Sequence, residues 1–164
     1  MCYSEAKALF FQYGGRHSAM ANDGRLEAYR AFRVPMETEN RWRAEIEEQL
    51  IGTLARDPHP EGVFQQLCGS AQRSGSSRAI TALYRFLTGE GFAAASARDR
   101  LYMIESFLDT LRIAGQTALP PDVCNGLTAL LRRAGQTEDP TLRRRAERLT
   151  AVAASFDRRS SSES

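Results

Sequence analysis

Valine and isoleucine number nine together in 164 residues, and lysine appears once, at Lys7. β-Branched side chains favour strands and lose rotamer freedom in helices, so their scarcity argues against a sheet-based fold. The three cysteines, Cys2, Cys68 and Cys124, are too few and too far apart for a disulfide framework or a zinc site. The expectation that follows is a reducing compartment, the cytoplasm. No stretch reaches the roughly 18 apolar residues of a membrane span, so no membrane association is expected. The start, MCYSEAKALFFQYGG, lacks the basic opening and unbroken apolar run of a secretory leader. Histidine is confined to His17 and His59, without HxH or HExxH pairing, and no metal is expected. The phosphate-cradling GxxxxGKS/T and GxGxxG patterns are missing, as is the GxSxG nucleophile turn. No catalytic residue and no cofactor is therefore assigned.

What is present is a helix-forming composition rich in alanine, leucine, arginine and glutamate. With 42% hydrophobic and 26% charged residues, the chain has the make-up of a folded protein and the length of one domain. The net charge of +2 is too small to point to nucleic acid. The basic residues are 21 arginines and one lysine. Coding bias in a GC-rich genome accounts for this better than selection for arginine's bidentate contacts does, because alanine rises with it. A bacterial cytoplasmic protein is the resulting expectation.

The most apolar stretch is RDRLYMIESFLDTLRIA, 98–114. Leu101, Ile104, Leu108 and Leu111 recur at helical spacing, and Tyr102, Met103 and Phe107 widen the face. Such a helix belongs between other helices. Shorter stripes flank it. Ala6, Leu9, Phe10 and Tyr13 follow a potential cap at Ser4 and stop at Gly14-Gly15. Leu26, Tyr29 and Phe32 form a short helix. After Pro35, Trp42, Ile46, Leu50 and Leu54 recur every four residues with Ile51 beside them, and Glu45, Glu47 and Glu48 face water. Glu37 and Glu39 suit that helix's N-terminus electrostatically. Phe64, Leu67, Cys68 and Ala71 come next, then Ile80, Leu83, Phe86 and Leu87, then an alanine-rich connector from Phe92 to Ala97. The last two stripes are Val123, Leu127, Leu130, Leu131 and Ala134, and then Leu142, Ala146, Leu149, Val152 or Ala153, and Phe156. All six prolines fall between stripes.

LRIAGQT at 111–117 is echoed by LRRAGQT at 131–137, twenty residues later. Each glycine falls where a helix should end. A pair of such units approaches the size of a HEAT or armadillo repeat, which the second half, Glu61 to Phe156, resembles at the level of fold only. The expectation is an all-α protein, a multi-helix bundle or a short HEAT/armadillo-like stack of about seven to eight helices. Residues 1–57 form an N-terminal helical cap packed on residues 58–157 as one compact domain, and 158–164 are a disordered tail.

Several residues invite a chemical reading. Loss of Met1 would leave Cys2 with its own α-amino group as base, but Tyr3 replaces the small glycine usual after such nucleophiles. Arg16 and His17 follow the double glycine in a segment that also holds Asn22 and Asp23, a polar loop suited to presentation at a rim. Phe11 and Tyr3 point off the main stripe of the first helix. Phe10, Leu26, Tyr29, Phe32 and Trp42 are expected in one cluster. Arg143, Arg144, Arg145 and Arg148, with Arg132 and Arg133, form a basic run with no interleaved aromatics for base stacking. The function expected is a non-catalytic helical protein–protein interaction module, using Arg16, His17, Asn22, Asp23 and Phe11, with a homo-oligomer as a further possibility. The alternatives are a nucleic-acid-associated regulator using the arginine-rich C-terminal helix and a small enzyme using Cys2 or the Arg16–His17 loop.

Overall fold

Residues 3–115 and 121–160 are described by a computed structural model, the side chains at 121–125, 127, 134 and 155–160 excepted. Ten helices and no strand occur among these residues: α1 (Ser4–Gln12), α2 (His17–Asn22), α3 (Leu26–Arg30), α4 (Met36–Leu54), α5 (Glu61–Ser74), α6 (Ser77–Leu87), α7 (Glu90–Ala94), α8 (Ala97–Ala114), α9 (Pro121–Ala134) and α10 (Pro140–Ser160). The all-α fold is the one the composition implies. The two helices beyond the expected number are α2, in place of a polar loop, and α7, in place of a connector. Each carries one buried apolar side chain, Met20 and Phe92, and a helical turn is what aims it inward.

Side-chain caps fix several helix starts. Ser76 Oγ accepts from the Ala79 amide at 3.2 Å, and Ser96 Oγ accepts from the Asp99 amide at 3.1 Å. Asp139 Oδ1 accepts from the amide of Thr141 at 2.8 Å. Pro121 and Pro140 open α9 and α10, where a missing N–H removes no helical bond. Ser4 does not act as a cap: it is the first residue of α1, and Tyr3 occupies the cap position without a side-chain bond.

The chain divides between Leu50 and Ile51 into two compact units. The first is built on Ala6, Leu9, Phe10, Met20, Tyr29 and Trp42, with Tyr3, Phe11, Tyr13, Leu26, Phe32, Val34 and Ile46 packed around them. The rings of Phe10 and Tyr29 stack at 5.6 Å, and Trp42 lies 5.6 Å from Phe10. The aromatics of the first quarter are thus one core, as their spacing suggests.

The second unit is arranged around α8, which packs against α5, α6, α9 and α10. Leu101, Met103, Ile104, Phe107, Leu108 and Leu111 are buried, each burial favouring folding by roughly 1.5–3 kcal/mol. A helix with neighbours on several sides is the centre of a bundle. Repeat stacks differ in that each unit meets only the next. Tyr102 does not belong to this face, being 47% exposed. In α10 the inward residue is Ala153, while Val152 is exposed. The α10 backbone continues to Ser160, beyond the boundary expected for the tail. The side chains of Val123, Cys124, Leu127, Ala134 and Phe156, and all of Cys2, lie outside the described residues.

The two echoed glycines do different work. Gly115 ends α8 with φ at 76° and ψ at 154°, a positive-φ conformation that favours glycine, with open space around it. Gly135 lacks that conformation, and a Cβ there would lie 2.9 Å from Ala146 Cβ, so it lets α10 approach the end of α9.

Candidate functional site

Of the residues singled out near the N-terminus, His17 reaches a carboxylate that sequence patterning misses. Glu39, in the first turns of α4, is only 8% exposed. Its Oε1 accepts from the Tyr29 hydroxyl at 2.7 Å and lies 3.1 Å from His17 Nε2. Its Oε2 accepts from Arg43 at 3.0 Å. An ionised carboxylate is acceptor-only, so His17 presents its Nε2 proton to it. The His17 ring also lies 5.4 Å from Tyr29 and 6.0 Å from Phe10. Arg43 crosses the Phe10 ring at 5.3 Å. Burial, then the hydrogen bond and charge of Glu39, push the Tyr29 phenol far above its ordinary range. Three donors meet two oxygens. The result is a satisfied polar knot tying α2, α3 and α4 together.

The local turn explains why His17 reaches it. Gly15 has φ at 70°, and a Cβ there would press within 3.1 Å of the Phe10 ring. Arg16 is exposed and its Nε donates to the Tyr13 carbonyl at 3.2 Å. Burial and then the nearby Asp23 carboxylate raise the Tyr13 pKa. Arg16 therefore braces the Tyr13 backbone and Asp23 lies near the Tyr13 hydroxyl, while Asn22 is exposed at the end of α2. Phe11 is half-buried beneath the Lys7 ammonium, 5.1 Å from its ring, and Lys7 in turn pairs with Glu45. The five residues do not form one free patch: His17 faces Glu39, Arg16 and Asp23 face Tyr13, and Phe11 faces Lys7.

A different feature has the form of a binding site. In the second unit, the end of α4, one side of α6 and the start of α7 enclose a groove of about 780 Å³. Its apolar lining is Ile51, Leu54, Ala82 and Phe86, with Arg78 and Arg85 exposed along the edge. Phe86 is fixed from behind by Phe64, ring to ring at 5.8 Å, and from the side by Gly91, where a Cβ would lie 3.2 Å from the ring. Gly89, Glu90 and Gly91, where α7 begins, also line the groove. Apolar walls with few charged groups are what a segment of another protein or a drug-sized molecule requires.

The remaining candidates are less organised. Arg145 of the basic run turns toward α8 and pairs with Glu105, and Arg143 donates to the Thr137 carbonyl at 3.1 Å. Arg144 and Arg148 are exposed beside Glu147. His59 Nα donates to Asp57 in a turn, at 2.8 Å. Cys68 is a buried free thiol that desolvation pushes up to about 12, against a smaller lowering by Thr110. Among the described residues no group of three His, Cys, Asp or Glu could hold a metal ion, and no helix is long and apolar enough to cross a membrane. Compared with known protein-family models, curated proteins and solved structures, the chain matches none.

Proposed function

We propose that this protein is a helical interaction module that seats a short apolar segment of another protein, flanked by carboxylates, in the α4–α6–α7 groove. The observation that carries the reading is the lining itself. Ile51, Leu54, Ala82 and Phe86 form an apolar floor, and two exposed arginines, Arg78 and Arg85, stand along one edge. The floor supplies non-directional burial at roughly 25 cal/mol per Å², and the arginines select the sign of the partner's flanking charge. The dimensions suit an amphipathic helix or a bent extended peptide. The wider arginine content of the chain is not needed for it.

The test is selection from a displayed library of random peptides on the full chain. Enriched sequences should combine apolar residues at helical spacing with aspartate or glutamate, and should shift the backbone amides of Ile51, Ala82 and Phe86 in NMR spectra. Arg85→Glu should weaken binding about tenfold while leaving helicity unchanged, and exchanging the peptide's acids for lysines should restore part of it. Selected peptides that bind Ala82→Glu as well as the parent would remove the groove from this role.

A further inference from the structure

A second, smaller cavity lies on the other side of the Gly89–Glu90 turn. It has a volume of about 180 Å³ and is lined by Leu87, Thr88, Gly89, Glu90, Phe92, Ala93, Arg100 and Arg133. Two arginines from different helices, α8 and α9, therefore meet at one small cavity. Arg100 Nε is fully buried and has no hydrogen-bond partner, the one such side-chain atom among the described residues. Among the described residues neither Arg100 nor Arg133 forms an ion pair, and Arg133 is exposed. A guanidinium is charged at every accessible pH and carries only donors, so a buried N–H without an acceptor is costly until an oxygen reaches it. Neither the Thr88 hydroxyl, whose proton goes to the carbonyl oxygens of Tyr84 and Arg85 at 3.3 and 3.0 Å, nor the Glu90 carboxylate on the same wall accepts from this Nε.

We infer that this cavity is a binding site for a small oxyanion of the phosphate class. Two guanidinium groups offer the planar donor forks that match such an anion, and the volume is large enough for a phosphate group. Arg100 supplies the buried contact and Arg133 the solvent-side one. The Glu90 carboxylate lines the same wall and opposes the anion, so it limits affinity and favours binding at low ionic strength. The site is independent of the apolar groove, although Gly89 and Glu90 border both.

Calorimetric titration of the full chain with inorganic phosphate tests this, with phosphoserine as a second arm and acetate as the control. Saturable binding of phosphate is expected, weakened about tenfold by Arg100→Lys, which keeps the charge but loses the Nε donor, and by Arg133→Ala, which lies at the surface and leaves the fold alone. Glu90→Gln should tighten binding several-fold by removing the opposing charge. Phosphate binding without phosphoserine binding assigns the site to the free anion, whereas binding of both extends it to phosphate monoesters. Absence of saturable binding by both the parent and Glu90→Gln would overturn the site. So would phosphate binding that neither arginine substitution changes, because the anion would then lie elsewhere.

Discussion

Replacing Glu39 with alanine separates a structural knot from a working one. The substitution strands the Tyr29 hydroxyl, which is buried on a residue only 3% exposed and has Glu39 as its acceptor at 2.7 Å. A buried donor left without an acceptor costs about 1–3 kcal/mol. Arg43 and His17 lose their carboxylate as well, but their side chains are 37% and 42% exposed, so solvent screens both and each contributes at most about 1 kcal/mol. The expected loss is about 2–4 kcal/mol, with the larger share from Tyr29. Trp42, the only tryptophan, lies in the same cluster and reports on this unit directly. Urea titration followed by its fluorescence should show an earlier midpoint at an unchanged slope. Glu39→Gln keeps one acceptor oxygen and should lose only about 1 kcal/mol. Tyr29→Phe removes the stranded donor, so the double variant Glu39→Ala with Tyr29→Phe should be more stable than the two single losses sum to. A Glu39→Ala protein within about 0.5 kcal/mol of the parent would refute the account of Tyr29 as a buried donor held by this carboxylate.

Leu108, 3% exposed on α8, should cost about 2–5 kcal/mol when truncated to alanine, read as a lowered midpoint in thermal melts followed by helical circular dichroism. Cys68 should resist thiol reagents at neutral pH until the chain is unfolded. Its folded pKa, about 12, exceeds the unfolded value of 9.0, so the unfolded state loses this proton first. The stability is complete below pH 9.0 and declines as pH rises toward about 12, a slope that Cys68→Ala should reduce in chemical-denaturation titrations. Gly126→Ala would drive a Cβ into the Tyr84 hydroxyl, whose ring stacks on Phe107 at 6.3 Å. Destabilisation of about 1–3 kcal/mol is expected by denaturant titration, relieved in part by Tyr84→Phe.

Most of the fold was legible because its signals are local and repeated. The stripe of Leu101, Ile104, Leu108 and Leu111 specifies a helix, and its width, with Met103 and Phe107, specifies neighbours on more than one side. Prolines and the Gly14-Gly15 pair mark boundaries for steric reasons that no tertiary contact reverses. The short helices α2 and α7 were hidden because five or six residues cannot show periodicity, and each exists to bury one side chain, Met20 or Phe92. The repeated AGQT motif shows the opposite limit. Identical local sequence ends α8 with a positive-φ glycine and α9 with a glycine that allows close packing against Ala146, because the requirement at Gly135 comes from another helix.

The polar knot and the groove illustrate why sites are harder to read than folds. His17 was visible as an unusual residue after a double glycine, but Glu39 sits 22 residues away and carried only the ordinary signature of an acid at a helix start. The one local hint was Arg43, one helical turn after Glu39, and that spacing also describes countless exposed pairs. Phe86 poses the converse problem. In the sequence it continues the Ile80, Leu83 and Leu87 stripe, and a helix covering its outer side would make it core. In the structure it is half-buried, backed by Phe64 and opening onto the groove with Ala82 and Ile51. An apolar side chain becomes a binding surface only through the absence of a covering element, and that absence is a property of the whole packing arrangement. The same holds for Arg100: its charge is in the sequence, but its lack of an acceptor appears only once α7, α8 and α9 close around it.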